Sequence, residues 1–162
     1  MKLSQLNALN YDFTAKRDMT GRYLIAQDLS NLDLSNAILD EAEFDCAVLS
    51  NADLSDTSLK QTSFFSADLE GANLSGAKVN NCNFRHANLE GANVTGIDFT
   101  NSNVKGAIFT DAIGLSFQQK QWLKENGALN ISFDRQELQE MNLDGGDHGF
   151  FSSIKNLFSF SH

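Results

Sequence analysis

The sequence has no proline, only two cysteines, a single tryptophan, and 12 basic residues against 21 acidic ones. Each shortage excludes something. Two cysteines do not make a disulfide framework. A formal net charge of −9 argues against a protein that grips DNA through its phosphates, because such sites need a basic footprint. No apolar run approaches the ~20 residues of a membrane span. The opening stretch Met1-Lys2-Leu3-Ser4-Gln5 lacks the apolar core of a secretion signal, so the expected location is the cytoplasm. With 41% apolar residues the chain is not disordered, and 162 residues fit one domain with a sizeable core.

What the sequence does have is a period of five. Large apolar residues recur as Leu29, Leu34, Leu39, Phe44, Leu49, Leu54, Leu59, Phe64, Leu69, Leu74, Val79, Phe84, Leu89, Val94, Phe99, Val104 and Phe109. Two residues before most of these centres stands a small residue, usually alanine (Ala37, Ala42, Ala47, Ala52, Ala67), with Thr57, Thr62, Cys82 and Ser102 as variants. Two residues after them stands mostly Asn or Gly, as at Asn31, Asn51, Gly71 and Gly91. A helix repeats at 3.6 and a strand at 2, so a period of five requires a turn in each repeat. Asn and Gly tolerate the positive φ that several tight turns need. The small and large residues are therefore expected inside, and the polar ones outside.

The pattern Ala-Asp/Asn-Leu-X-X, as in Ala52-Asp53-Leu54-Ser55-Asp56 and Ala72-Asn73-Leu74-Ser75-Gly76, resembles the pentapeptide repeat family across residues 27–111. The resemblance implies an all-β fold: a right-handed quadrilateral β-helix with four repeats per coil. An independent signal agrees with 20 residues per coil. Phe44, Phe64 and Phe84 are spaced by 20, followed by Val104, and are expected to stack inside a rod of roughly 20 Å. The missing proline then has a reason, since ladder-forming strands need every backbone N–H.

The flanks divide the chain further. Residues 1–26 read as a cap or degenerate first coil: Met19 and Leu24 are in phase, but Arg17 and Arg22 occupy small-residue positions. Residues 112–144 read as a C-terminal helical cap, with a capping box at Ser116 and Gln119 and Gly127 at the helix end. Gly145-Gly146 marks a hinge to a Phe-rich tail, 145–162, whose Phe150, Phe151, Ile154, Leu157 and Phe158 fall at helical spacing. That tail is a candidate for folding back, for homodimerisation, or for docking on a partner or membrane surface.

No enzyme constellation is visible, and no cofactor or metal is expected. His86 sits at a turn, His148 and His162 lie in the tail, and none has a partner spaced for metal ligation. The many serines fall at outward repeat positions. Cys82 occupies an inward small position and Cys46 an outward turn. Charge is concentrated in residues 27–111, with thirteen acids against four basic residues, densest between Asp28 and Asp56. Asp40, Glu41, Glu43 and Asp45 are expected to cluster at one corner and, with Phe65 beside Lys60, to contact a partner. Ile38, Val48 and Ile108 are further apolar residues at outward positions. The leading functional expectation is a non-enzymatic protein-interaction scaffold with an acidic surface. The alternative, implied by the family resemblance, is a DNA mimic that binds DNA gyrase or another DNA-binding protein.

Overall fold

A computed structural model describes residues 17–143. Contacts divide the chain into two compact units, 1–132 and 133–162.

In the first unit the backbone returns to the same chemistry every 20 residues. Parallel bridges join Asp18 to Ile38, Tyr23 to Glu43, Asp28 to Val48 and Asp33 to Asp53, and continue up each column. Two columns illustrate the length: Asp53–Asn73–Asn93–Ile113 and Asp68–Asn88–Ile108–Leu129. Among the described residues one pair of rungs extends to true strands, β1 (Ser58–Lys60) and β2 (Lys78–Asn80), paired in parallel with Leu59 opposite Val79. Each rung exchanges two bonds with its neighbour, as where Leu54 N–H donates to Asn73 O (2.7 Å) and Asn73 N–H to Ala52 O (2.9 Å). Both donors lie on residues where proline would break the ladder.

Between rungs the chain turns. Ala72 N–H donates to Leu69 O (3.0 Å) and Ala77 N–H to Leu74 O (3.0 Å), closing β-turns. The third residue of the turn has positive φ at every fifth position from Gly21 to Asp111 except Asn101. That is the geometry a type II turn requires there. Neighbouring turns stack closely enough to constrain one another. A Cβ on Gly76 would lie 2.5 Å from Asp56 Oδ1, and one on Gly106 would lie 2.5 Å from His86 Nδ1.

The interior is filled by the two inward positions. Leu39, Phe44, Leu49, Leu54, Ala42, Ala47 and Ala52 are fully buried. Phe44, Phe64 and Phe84 stack as their spacing implies, with centroids 5.2 Å apart and rings within 7° and 10° of parallel. The column does not end there. Val104 is too small to continue it, and Phe99 instead meets Phe84 edge-on at 5.6 Å, then Phe109 edge-on at 5.6 Å. The polar variants at the small position are satisfied internally: Thr57 Oγ1 donates to Leu54 O (2.7 Å), Thr62 Oγ1 to Leu39 O (2.8 Å), and Cys82 Sγ to Leu59 O. Val79 is the exception among the centres, only half-buried.

Residues 17–26 take full part in this ladder. Met19 and Leu24 are buried, and Arg17, at the edge of the first coil, grips Asp33 through two bonds of 3.1 and 3.2 Å. At the other end, helix α1 (Phe117–Glu125) follows the last complete turn. The expected capping box is present: Gln119 N–H donates to Ser116 Oγ (3.3 Å) and Ser116 N–H to Gln119 Oε1 (2.8 Å). Leu123 joins the core, and Gln119 Nε2 donates to Ile97 O (2.5 Å). The chain then re-enters the ladder. Gly106 N–H donates to Gly127 O (2.7 Å), and Leu129 pairs with Ile108. The first unit therefore runs past residue 111, where the five-residue pattern stops.

In the second unit, α2 (Arg135–Leu143) is the described element. Asp134 caps it by accepting from the N–H groups of Gln136 (2.8 Å) and Glu137 (2.9 Å), and Glu137 accepts in return from Asp134 N–H (2.8 Å). The tail residues Phe150, Phe151, Ile154, Leu157 and Phe158 lie outside the described residues.

Candidate functional site

With the interior filled, chemistry is confined to the outer surface, where each repeat places three side chains. The polar residue before each centre sits in the ladder, the residue after it leads into the turn, and the next sits at the corner. A local motif governs the first two. An Asp or Asn accepts from the backbone N–H and the hydroxyl of a Ser or Thr two residues on. It occurs at Asp28/Ser30, Asp33/Ser35, Asp53/Ser55, Asn73/Ser75 and Asn93/Thr95, with hydroxyl bonds of 2.6 to 2.8 Å. These side chains favour the turn by hydrogen-bonding the backbone beyond it. Asparagines also link coils: Asn73 Nδ2 donates to Asp53 Oδ1 and Asn88 Nδ2 to Asp68 Oδ1, both at 3.2 Å.

The motif changes the meaning of the acidic charge. Asp28, Asp33 and Asp98 are held below the usual carboxylate range. At Asp28 the Ser30 hydroxyl and then its N–H stabilise the anion; at Asp33 the Arg17 guanidinium acts first, then Ser35; at Asp98 it is Thr100 N–H, then its hydroxyl. Three of the acids between Asp28 and Asp56 (Asp28, Asp33 and Asp53) therefore serve turn formation.

The four acids expected at one corner are spread from the end of one side, around the corner at Glu41, along the next side. Glu41 is the corner residue, with φ of 61°. Asp40 precedes that corner and is engaged by Lys60, whose N–H donates to it at 3.0 Å and whose Nζ lies 3.8 Å away. Glu43 sits mid-side, between Tyr23 and Ser63 in the ladder. Asp45 stands before the next corner, Cys46, and accepts from the Ser63 hydroxyl. A five-residue repeat turns between Asp40 and Asp45, so the two cannot share a corner.

Phe65 lies on the same side as Glu43 and Asp45, one coil up. Its ring contacts are Arg85, with the guanidinium carbon 5.6 Å from the ring centroid, and His86, whose ring meets it edge-on at 5.9 Å. The ring is half-buried beneath them. Lys60 is engaged by Asp40, one coil below it in the same column. Ile38 and Val48 are exposed as expected, and Ile108 is half-buried where Leu129 pairs over it. Four exposed apolar side chains carried no pattern in the sequence: Tyr23 (75% exposed), Ile25 (45%), Ile113 (60%) and Leu129 (50%). Ile113 and Leu129 stand at the C-terminal end of their columns.

Cys46 is exposed and Cys82 buried, both unpaired. Burial pushes the Cys82 thiol up to about 11. A cleft of roughly 280 Å³ opens beside α1, lined by Asp98, Phe99, Thr100, Ser116, Gln119 and Trp122 among others. Among the described residues no three His, Cys, Asp or Glu side chains gather as a metal site would need, and no helix is long and apolar enough to cross a membrane.

Parallel rungs at a spacing of 20, with a turn at every fifth residue and a continuous apolar interior, define a β-helical repeat protein. The family model for pentapeptide repeats matches residues 19–56, 42–81 and 80–113, and the chain belongs to that family. Among solved structures it is similar to a pentapeptide repeat protein from the thylakoid lumen of Arabidopsis thaliana, at 34% identity over 70% of this chain and 88% of that one, with a TM-score of 0.39. It is also similar to a pentapeptide repeat protein from Nostoc, at 25% identity over 78% of this chain and 93% of that one, with a TM-score of 0.55. A third similar structure is QnrB1, a plasmid-mediated fluoroquinolone resistance protein, at 20% identity over 60% of this chain and 65% of that one, with a TM-score of 0.39. No curated protein matches the chain.

Proposed function

We propose that this protein is a non-enzymatic interaction scaffold. Its coils form a right-handed, quadrilateral β-helix, closed at the C-terminal end by α1, and the outer surface is offered to a protein partner. The observation that carries this reading is the division among the acids. Asp28, Asp33, Asp40 and Asp53 are bound to their own fold. Glu41 and Glu43, among the described residues, have side chains with no such partner and stand on the side that also holds Asp45 and Phe65. Fixed charges on a rigid lattice suit recognition of a basic protein surface.

The test compares affinity purification from native cells with the wild type and with a Glu41→Gln/Glu43→Gln variant. A partner retained by the first and lost by the second supports the reading. The same partners on both variants would remove these residues from the interface.

The DNA-mimic alternative ranks second. It requires carboxylates spread along the coil stack, whereas the upper coils carry Lys78, Arg85 and Lys105 on their surface. A gyrase supercoiling assay separates the two: no effect at micromolar protein ends the mimic reading. The Phe-rich tail is assigned a docking role in association. Deletion of residues 147–162 tests it by light scattering, and an unchanged molar mass rules it out.

A further inference from the structure

One column on the side that carries Phe65 reverses its charge along the coil axis. The residues after the centres there are Ile25, Asp45, Phe65, Arg85 and Lys105. Their order on consecutive rungs is fixed by backbone bonds: Ala26 N–H to Asp45 O, Cys46 N–H to Phe65 O, Ser66 N–H to Arg85 O, and His86 N–H to Lys105 O, at 2.8 to 3.1 Å. Phe65 is thus flanked by an acid one rung below and a base one rung above. Ile25, Arg85 and Lys105 are exposed. In a chain of net charge −9, neither Arg85 nor Lys105 is in an ion pair among the described residues, whereas Arg17 and Lys60 are.

Such a column is complementary to its own reverse. From this charge complementarity we infer that the side centred on Phe65 is an isologous interface with a second copy of this chain. The two coil stacks run antiparallel about a two-fold axis at the level of the Phe65 rung, with Arg85 lying over each Phe65 ring. In a two-fold contact residue i meets j and j meets i. Here Asp45 meets Arg85 of the second copy twice over, and Ile25 covers the Lys105 stem. The adjoining ladder column follows the same operation without conflict, placing Glu43 opposite Asn83 and Tyr23 opposite Asn103.

The other three sides offer less to the same operation. On one, the acid and the base of the column after the centres are already paired within one chain, Lys60 Nζ lying 3.8 Å from Asp40. The side bearing Glu70 and Glu90 would set Glu70 against itself. The side with Asp33 and Asp53 has no basic residue in its ladder column to answer them. Among the described residues, the Phe65 side is the one whose column after the centres sets an acid opposite bases that are in no ion pair of their own chain. A single side is small against the ~800 Å² per partner of a standard interface. The dimer is therefore expected to be weak, and the test is carried to several hundred micromolar.

This inference goes beyond the scaffold reading and does not depend on it, since it is read out by mass and not by partner capture. The experiment is sedimentation equilibrium of the full chain at about 0.15 M salt, where a Debye length of ~8 Å screens the net repulsion but not contact pairs. The wild type is expected to dimerise. Asp45→Arg alone and Arg85→Asp alone should each weaken the dimer by about ten-fold or more, because each turns two attractions into repulsions. Mixing the two single variants should give a heterodimer, and the double variant Asp45→Arg/Arg85→Asp should dimerise again. Circular dichroism checks that each variant is folded. A wild type that stays monomeric at several hundred micromolar overturns the inference. So does a dimer that survives the single reversals, or a loss that neither the mixture nor the double variant restores.

Discussion

Replacing Phe64 by alanine removes the middle ring of the three-phenylalanine stack. The ring is fully buried and lies 5.2 Å from Phe44 on one side and 5.2 Å from Phe84 on the other. Truncating a buried Phe costs about 3–5 kcal/mol. Each lost aromatic pair adds about 0.5–1.5 kcal/mol beyond buried area. The rungs above and below are pinned by ladder bonds, so the site collapses poorly and the cost belongs at the top of that range, about 5 kcal/mol. Phe64→Leu is the informative control. Leucine already fills the equivalent inward positions at Leu49, Leu54, Leu59 and Leu69, so its cost should be about 1–2 kcal/mol. Guanidinium unfolding followed by circular dichroism measures both. Trp122, the single tryptophan, packs against the core at the C-terminal end and gives a second, local probe. If the coils unfold as one unit, the two probes coincide; if the gap at Phe64 uncouples the ends, they separate. A Phe64→Ala cost below about 1 kcal/mol, or one equal to that of Phe64→Leu, would refute the argument that ring stacking holds the coils in register.

Further expectations concern turns, thiols and acid. Gly114→Ala should cost at least twice as much as Gly91→Ala: both sites have positive φ, worth about 1–2 kcal/mol, but a Cβ at Gly114 would also lie 2.6 Å from Thr95 Cα, while Gly91 opens onto space; thermal melts compare them. A thiol reagent should label Cys46 at once and Cys82 only on unfolding. Because the folded Cys82 pKa is raised to about 11, the unfolded chain loses its thiol proton first, and stability should fall between about pH 8.5 and 11. Cys82→Ala, with the residue that fills the same column at Ala42, should flatten that decline in a pH series of urea titrations. Asp28, Asp33 and Asp98 have lowered folded pKa values, so their contribution is present above about pH 4 and lost as pH falls further. Asp33→Asn should make the acid-induced loss shallower by a small amount, because the Arg17 pair is solvent-screened.

The coil period, the inward residues and the aromatic stack were legible because inward positions obey one rule, apolar and of fixed size, at fixed spacing. The α1 cap was legible because Ser116 and Gln119 carry a local signal that depends on nothing distant. The outer surface was not. Asp33 reads as surface charge until Ser35 is seen to bind it and Arg17 to cross the coil edge. Asp40 and Asp45 look adjacent in sequence, yet a turn separates them. Phe65 pairs with Arg85 and His86, a contact set by the 20-residue return. The return of Gly127–Leu129 to the ladder was also hidden, because α1 consumes the residues that would have kept the phase.

The stack at Phe44, Phe64 and Phe84 bears on how such a chain changes length over generations. Excising residues 61–80 would seat Phe84 directly on Phe44 and leave each column in order. Excising five residues would leave every turn well formed but shift everything downstream by a quarter coil, moving the aromatics off their column. Gene duplication and loss in this repeat are therefore expected to be quantised: single pentapeptides are the unit of sequence, but whole coils are the unit of inheritance.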